Sequence, residues 1–184
     1  MSDNEFRSGF VCLVGRPNAG KSTLTNRIIG RKIAITSDRP QTTRRTVRGV
    51  LTRSDAQLIV VDTPGLHKPR TLLGERLNDL VRATWTEVDV IGFCLAANEE
   101  TGPGDRKLAA ELASIQRGPI IAVITKTDTA SPDEVAARLA SISELAAEVG
   151  LKVSEYVPVS AVTGDNVDVL VDLMIAQMPE GPQL

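Results

Sequence analysis

Short apolar runs rich in β-branched residues alternate along this chain with longer segments of helical periodicity. Each run ends at turn-forming residues and is shorter than a typical helix, so each is predicted to be a strand. This alternation favours the α/β class, in which a mostly parallel sheet is covered by helices. The predicted strands are residues 10–14, 56–61, 88–96, 119–124 and 155–159, with a more polar edge strand at 46–53.

Four segments outside these runs are predicted to be helices. In the clearest of them, apolar residues recur every three or four positions and would turn one helix face toward the sheet. Its start is well marked, because Ser131, Pro132 and Glu134 supply an N-cap hydroxyl, a proline at the first helical position and a capping-box carboxylate. The four predicted helices are residues 21–29, 105–115, 131–149 and 166–178.

Composition narrows the class of protein. The chain has 184 residues, of which 42% are hydrophobic and 24% charged, so one compact globular domain is expected. A net charge of −2 gives no general attraction to phosphate backbones, which argues against a bare nucleic-acid module. Cys12 and Cys94 lie far apart in apolar runs and are predicted to be buried, reduced thiols. Neither a membrane-spanning run nor a signal-peptide pattern is found, so the cytoplasm is the expected compartment.

The segment from Gly15 to Ser22, GRPNAGKS, matches the spacing glycine, four residues, glycine, lysine, serine. Because it lies between a predicted strand and a predicted helix, its backbone N–H groups can surround an anion at the helix N-terminus, and phosphate fits. Lys21 can reach the β- and γ-phosphates, and the Ser22 hydroxyl can bind Mg²⁺. The alternative is a chance glycine turn. The predicted nucleotide-binding residues are Gly15, Arg16, Pro17, Asn18, Ala19, Gly20, Lys21, Ser22 and Thr23.

A second motif, Asp62-Thr63-Pro64-Gly65, follows the run at 56–61, at the edge where parallel strands open onto a ligand crevice. Asp62 is predicted to hold Mg²⁺ through a water. The N–H of Gly65 can meet a γ-phosphate, because glycine has no side chain to block the approach. Taken alone, the same four residues would also suit an ordinary turn.

A third motif, Thr125 to Asp128 (TKTD), follows another predicted strand. The Asp128 carboxylate can accept hydrogen bonds from the ring N–H and the exocyclic amine of guanine, and adenine offers no matching ring N–H. Lys126 belongs to the same predicted site, and Ser160 and Ala161, after the last strand, would bring a backbone N–H to guanine O6. A common polar turn is the alternative here.

The polar stretch 31–45 is long for a loop in a compact domain, and such loops are usually functional or mobile. Thr43 is its best candidate for a second hydroxyl ligand to Mg²⁺, and binding that depends on the γ-phosphate would make the stretch a switch. Its basic residues alternatively form only a solvated face. The single histidine, His67, has no fixed carboxylate nearby and is predicted to be solvated rather than a general base.

With these motifs in order, the chain resembles P-loop GTPases of the translation-factor class, and most closely the Era family of bacterial ribosome-assembly GTPases. The segments GRPNAGKST, ITSDRPQTTRR, VDTPGLHKP and VPVSAVTGDNVD carry the resemblance over nearly the whole chain. It implies a six-stranded mixed sheet flanked by five helices, with the antiparallel strand at 46–53. It also implies a GTPase domain at 1–178 and, at 179–184, the start of a linker to a KH domain.

The resemblance implies a slow, Mg²⁺-dependent GTPase switch that gives GDP and phosphate and acts in small ribosomal subunit assembly. The residues implied for catalysis are Lys21, Thr43, Gly65 and Asn18, and those for the metal are Ser22, Thr43 and Asp62. Family partners are 16S rRNA and the 30S subunit, bound through the KH domain, so this chain alone should have little RNA affinity. A monomer is expected, and the full-length family protein is a candidate for peripheral membrane association.

Two positions depart from related GTPases. Thr125 stands where the family has asparagine, so it lacks the amide that contacts the base and braces the phosphate loop. Because Asp128 is kept, guanine selectivity is expected to be retained with somewhat weaker affinity. Leu66 stands where Ras-like relatives have the glutamine that positions the attacking water. Asn18 and Thr42 are candidates to hold a K⁺ that neutralises developing charge, whereas Asn18 alternatively only shapes the loop. Two other functions stay open, a nucleotide-sensing module without hydrolysis and an ATP-dependent P-loop kinase.

Overall fold

The computed structural model describes residues 6–30, 46–62 and 72–181. Six strands form one sheet in the order β2-β3-β1-β4-β5-β6, in which only β2 runs antiparallel to its neighbour. The strands are β1 Arg7–Val14, β2 Thr46–Thr52, β3 Ala56–Asp62, β4 Val90–Ala96, β5 Ile120–Thr125 and β6 Val153–Pro158. The helices of the described residues are α1 Lys21–Ile29, α2 Leu72–Glu87, α3 Pro103–Ile115, α4 Pro132–Val149 and α5 Val167–Ala176, with a 3-10 turn at Thr127–Thr129.

Two apolar layers hold the sheet between helices. One layer packs α1 and α5 on a face of the sheet through residues such as Leu24, Leu170 and Met174. The opposite layer contains Trp85 of α2 and Ile142 of α4, together with residues of α3. Every residue of β4 and β5 is buried, as expected for central strands covered on both faces.

The predicted mixed α/β fold is confirmed, and the predicted strands agree with the observed ones to within three residues. The helix α2 is the element that periodicity did not assign, and the fifth helix entered only through the family resemblance. The sequence spaces Leu77, Val81 and Trp85 four residues apart, which is the signal that could have identified it.

Helix α4 begins with the predicted capping box. The Ser131 hydroxyl accepts a hydrogen bond from the Glu134 N–H at 3.1 Å, and the Glu134 carboxylate accepts one from the Ser131 N–H at 2.8 Å. The bonds from Ser131 lower the pKa of Glu134.

The predicted burial of the thiols is also confirmed, since Cys12 and Cys94 are both free and buried. No helix in the described part of the chain is long and apolar enough to cross a membrane.

The end of the described chain returns to the start of the sheet. The Gly181 N–H donates to the Phe6 carbonyl at 2.9 Å, and the Arg7 guanidinium donates to the Met178 carbonyl at 2.6 Å. Arg7 and Glu180 also pair through a bridge between their backbones. Residues just after α5 are therefore attached to β1.

Candidate functional site

The three motifs at strand ends lie at one edge of the sheet. Strands β1, β3, β5 and β6 are parallel to one another, so their carboxyl ends meet at the same edge. The Gly15 to Ser22 segment follows β1, Asp62 ends β3, the TKTD segment follows β5 and Ser160 lies just past β6. Segments more than a hundred residues apart in sequence are thus neighbours in the fold.

The loop from Gly15 to Gly20, which we call the phosphate loop, is shaped by its glycines. A Cβ at Gly15 would lie 2.6 Å from the Cys94 carbonyl oxygen and 3.1 Å from the Ala19 Cβ, so no side chain fits there. Asn18 and Gly20 both adopt positive φ angles, of 73° and 85°. This conformation lets the loop close, with the Ala19 N–H bonded to the Arg16 carbonyl at 3.1 Å.

At the start of helix α1, no side chain among the described residues occupies the N–H groups that could bind an anion. Its N-cap is Gly20, which has no side chain to bond the first N–H groups, and its first turn contains no acidic residue. The loop N–H groups and the helix N-terminus therefore favour negative charge. A glycine loop at an uncapped helix N-terminus, with no room for a side chain at Gly15, fits a phosphate group.

Two ammonium groups flank this loop. The half-buried Lys21 Nζ donates to the Gly15 carbonyl at 2.7 Å, and the Lys126 Nζ donates to the Asn18 carbonyl at 2.6 Å. Their charges reinforce the attraction of the loop for an anion. The second bond also connects the segment after β5 to the phosphate loop.

Thr125 braces the phosphate loop, contrary to the expectation from the sequence. The absence of an asparagine amide predicted that the brace on the phosphate loop is lost, but the Thr125 hydroxyl donates a 2.6 Å hydrogen bond to the Ala19 carbonyl. Thr125 is only 3% exposed, so this bond is shielded from water. A hydroxyl replaces the amide as the brace because β5 ends close beside the loop, with the Thr125 side chain also near Gly20.

On the far side of Thr125, two predicted base-reading segments meet. The Asp128 carboxylate accepts a hydrogen bond from the Ser160 hydroxyl at 2.8 Å, and that hydroxyl accepts one from the Thr163 N–H at 3.1 Å. The Thr127 N–H donates to the Val159 carbonyl at 3.2 Å. Asp128 is exposed and Ser160 is buried, so an orienting hydroxyl holds a carboxylate that faces solvent.

The candidate metal ligands are separate side chains rather than a cluster. Asp62 is 44% exposed at the end of β3, with the Arg48 guanidinium 3.9 Å away, and Ser22 is exposed in the first turn of α1. Within residues 6–30, 46–62 and 72–181, no group of three or more His, Cys, Asp and Glu side chains could hold a metal. Mg²⁺ at nucleotide sites takes only one or two oxygen ligands from the protein, and phosphates and water fill the rest of its coordination shell. A hydroxyl and a carboxylate are therefore sufficient protein ligands.

Several predicted residues lie outside the described part of the chain, so their placement is not compared with the expectation. They are Thr42 and Thr43 of the 31–45 stretch, and Thr63, Pro64, Gly65, Leu66 and His67 after β3.

Two arginine contacts around the site could not be predicted from the sequence. Arg16 of the phosphate loop lies 3.7 Å from the Glu99 carboxylate and packs against Gly104 at the start of α3. Arg27 of α1 packs against Gly164, where an added Cβ would lie 2.2 Å from its guanidinium. Neither contact has a periodic or motif signal, because each joins residues that are distant in sequence.

Comparison with protein families and with curated proteins gives consistent matches. A family model described as 50S ribosome-binding GTPase matches residues 10–126. The GTPase Era of Streptomyces coelicolor is 63% identical over 178 residues, which are 97% of this chain and 56% of that protein. The chain therefore spans a little more than half the length of such relatives.

Solved structures give the same similarity. A crystal structure of Era in complex with MgGDPNP and nucleotides 1506–1542 of 16S ribosomal RNA matches with a TM-score of 0.78 and 36% identity, over 97% of this chain and 59% of that one. An Aquifex aeolicus Era variant bound to GDP·AlF4⁻ matches with a TM-score of 0.75 and 35% identity, over 97% of this chain and 60% of that one. The expected resemblance to Era is thereby confirmed.

Proposed function

The chain belongs to the GTPase family described as 50S ribosome-binding GTPases, and we propose that it is a switch that binds GTP and GDP with Mg²⁺ and hydrolyses GTP to GDP and phosphate. One observation carries this proposal. The buried Thr125 hydroxyl bonds the phosphate loop at Ala19, which fixes the spacing between the anion cradle and the Asp128 carboxylate. A purine nucleotide would contact the phosphate loop through its phosphates and Asp128 through its base, so it requires both groups at a fixed separation.

Each residue has a role that follows from its chemistry. The loop N–H groups and Lys21 hold the phosphates, Ser22 and Asp62 with Thr43 bind Mg²⁺, and Asp128 accepts from the guanine edge. Gly65 and Thr43 sense the γ-phosphate. The metal supplies neutralisation of charge on the phosphate oxygens when it is bound. Water attacks the γ-phosphorus slowly, since Leu66 follows the DTPG motif where Ras-like relatives have glutamine.

The test of phosphate binding is Lys21→Ala, with Lys107→Ala as the control. Lys107 is an exposed lysine on α3, so its loss should leave nucleotide affinity unchanged. Lys21→Ala should abolish tight GTP binding in Mg²⁺, measured by calorimetry. Retained micromolar affinity would contradict the assigned role of the loop. Excess ATP should fail to displace labelled GTP, whereas the kinase alternative requires displacement.

The test of base recognition is Asp128→Asn. Xanthine carries a carbonyl where guanine carries the 2-amino group, so an asparagine amide can donate to xanthine but no longer pairs with guanine. GTP affinity should fall by about a hundredfold or more while XTP affinity rises. An unchanged preference for GTP would exclude Asp128 as the base reader.

Hydrolysis itself is tested by single-turnover release of phosphate in K⁺. A true GTPase releases phosphate in the first turnover, and a sensing module does not. We include K⁺ in the proposal, held by Asn18 and Thr42, because a monovalent cation can neutralise charge where an arginine finger is lacking. Equal rates in KCl and NaCl, with and without Asn18→Asp, would end that part of it.

The wider role is proposed from the relatives. The full-length protein is proposed to act in the cytoplasm in small ribosomal subunit assembly as a monomer that binds 16S rRNA and the 30S subunit. Peripheral membrane association is proposed as a second property to assay. Residues 1–178 would be the GTPase domain and 179–184 the start of a linker to a KH domain. A gel-shift titration with the 3′ end of 16S rRNA tests it. The full-length protein should bind, and the 184-residue chain should bind far more weakly.

A further inference from the structure

The Thr125 hydroxyl has a single proton, and the structure uses it internally. A threonine hydroxyl donates one hydrogen bond, whereas an asparagine amide donates two. That one proton goes to the Ala19 carbonyl at 2.6 Å, in surroundings where Thr125 is only 3% exposed. The side chain therefore braces the phosphate loop and has no donor left for a nucleotide.

Two neighbouring side chains also bond within the protein. The Ser160 hydroxyl gives its proton to Asp128, and the Lys126 ammonium is drawn to the Asn18 carbonyl of the phosphate loop. Asp128 itself is acceptor-only when ionised. The side-chain hydroxyls of Thr125 and Ser160 thus both spend their single proton on the protein, whereas Lys126 keeps two of its three N–H donors.

Guanine presents two different edges to these groups. Its N1–H and 2-amino group are donors and suit the Asp128 carboxylate. Its N7 is an acceptor and needs a donor, which an asparagine at position 125 could supply while also bracing the loop. Threonine at this position can supply only one of those two bonds, and the geometry assigns it to the loop.

We propose that this chain recognises guanine without a hydrogen bond from residue 125 to N7, so that it accepts guanine nucleotides in which N7 is replaced or altered. This inference rests on the proposed GTP binding and specifies the substrate class of that same site. Thr125 is therefore a specificity-determining residue: because it makes no contact with N7, the site tolerates changes at that atom.

The experiment compares GTP with 7-deaza-GTP, in which a C–H group replaces N7. Affinities are measured by calorimetry in Mg²⁺ for the wild-type chain, Thr125→Asn and Thr125→Ser. The wild type and Thr125→Ser should bind the two nucleotides within about twofold of each other. Thr125→Asn should bind 7-deaza-GTP about fivefold more weakly than GTP, the effect of one hydrogen bond.

The outcomes separate this inference from the function it depends on. A wild-type chain that binds GTP but binds 7-deaza-GTP fivefold or more weakly overturns the inference alone. A Thr125→Asn variant that treats both nucleotides equally overturns the role of Thr125 as a specificity-determining residue, because position 125 then does not face N7. A chain that fails to bind GTP contradicts the proposed function and the inference together. The wild-type comparison stands even if a variant does not fold.

Discussion

The buried hydroxyl of Ser160 donates a 2.8 Å hydrogen bond to the exposed carboxylate of Asp128, across 32 residues of sequence. Charge-assisted bonds of this kind are stronger than bonds between neutral groups. The bond fixes one oxygen of a carboxylate that would otherwise rotate freely in solvent. Loss of the hydroxyl should therefore weaken base recognition without touching the phosphate loop.

Ser160→Ala is expected to lower GTP affinity about tenfold, since a hydrogen bond to a charged group contributes roughly 1.5 kcal/mol or more. Isothermal calorimetry with GTP and Mg²⁺ measures it. The control is Ser154→Ala, because the exposed Ser154 hydroxyl bonds the Ile120 carbonyl at the opposite end of the strands. Equal affinities for the two variants would show that the Asp128 carboxylate needs no orienting partner.

Gly15→Ala is expected to disrupt the phosphate loop. Its Cβ would lie 2.6 Å from the Cys94 carbonyl oxygen, which is main chain in a central strand and cannot move aside. Nucleotide affinity should fall at least tenfold, and the free energy of unfolding should fall by roughly 1 to 3 kcal/mol, as for other overpacked sites.

The control for that change is Gly102→Ala. A Cβ at Gly102 meets no atom within 4 Å, and its φ of −129° suits any residue. Calorimetry and urea denaturation should leave this variant close to the wild type. A Gly15→Ala chain that binds GTP normally would show that the loop can open away from β4.

Local patterns explain why much of the site was predictable. The spacing from Gly15 to Lys21 and the capping box of Ser131 and Glu134 depend on neighbouring residues only, so the sequence contains them completely. Strands β4 and β5 were equally legible because burial on both faces demands continuous apolar runs.

Contacts between distant segments were not predictable in the same way. The hydrogen bond from Thr125 to Ala19 joins residues 106 apart, and it exists only because β1 and β5 both end at one edge of the sheet. Threonine in place of the family's asparagine at position 125 therefore still braces the phosphate loop. The ion pair of Arg138 and Asp105, 33 residues apart, was missed for the same reason.

Arg138→Met is expected to destabilise the fold strongly. The Arg138 guanidinium lies 3.5 Å from the Asp105 carboxylate, with side chains only 2% and 4% exposed, and it also donates to the Ala96 carbonyl. Its removal leaves a buried carboxylate without its cation, which costs about 3 to 5 kcal/mol in comparable sites. Urea denaturation measures the free energy of unfolding.

The matched control is Arg106→Met, one helix away. Arg106 pairs with Glu148 through side chains that are both more than half exposed, and exposed pairs contribute about 1 kcal/mol or less. Similar losses for the two variants would mean that water or a relaxed structure compensates Asp105.

The Cys94 thiol predicts a dependence of stability on alkaline pH. Burial raises the pKa of Cys94 from its ordinary 9.0 to about 12, and the nearby charge of Lys21 lowers it only in part. Between these values the unfolded chain loses the thiol proton and the folded chain keeps it. The stability that depends on the protonated Cys94 thiol is therefore fully present below pH 9 and is lost as the pH rises toward 12. Between pH 8 and pH 10 it should lower the free energy of unfolding by roughly 1 kcal/mol in the wild type. Urea denaturation of Cys94→Ala across the same range should lack this component, and parallel pH profiles for the two chains would contradict the raised pKa.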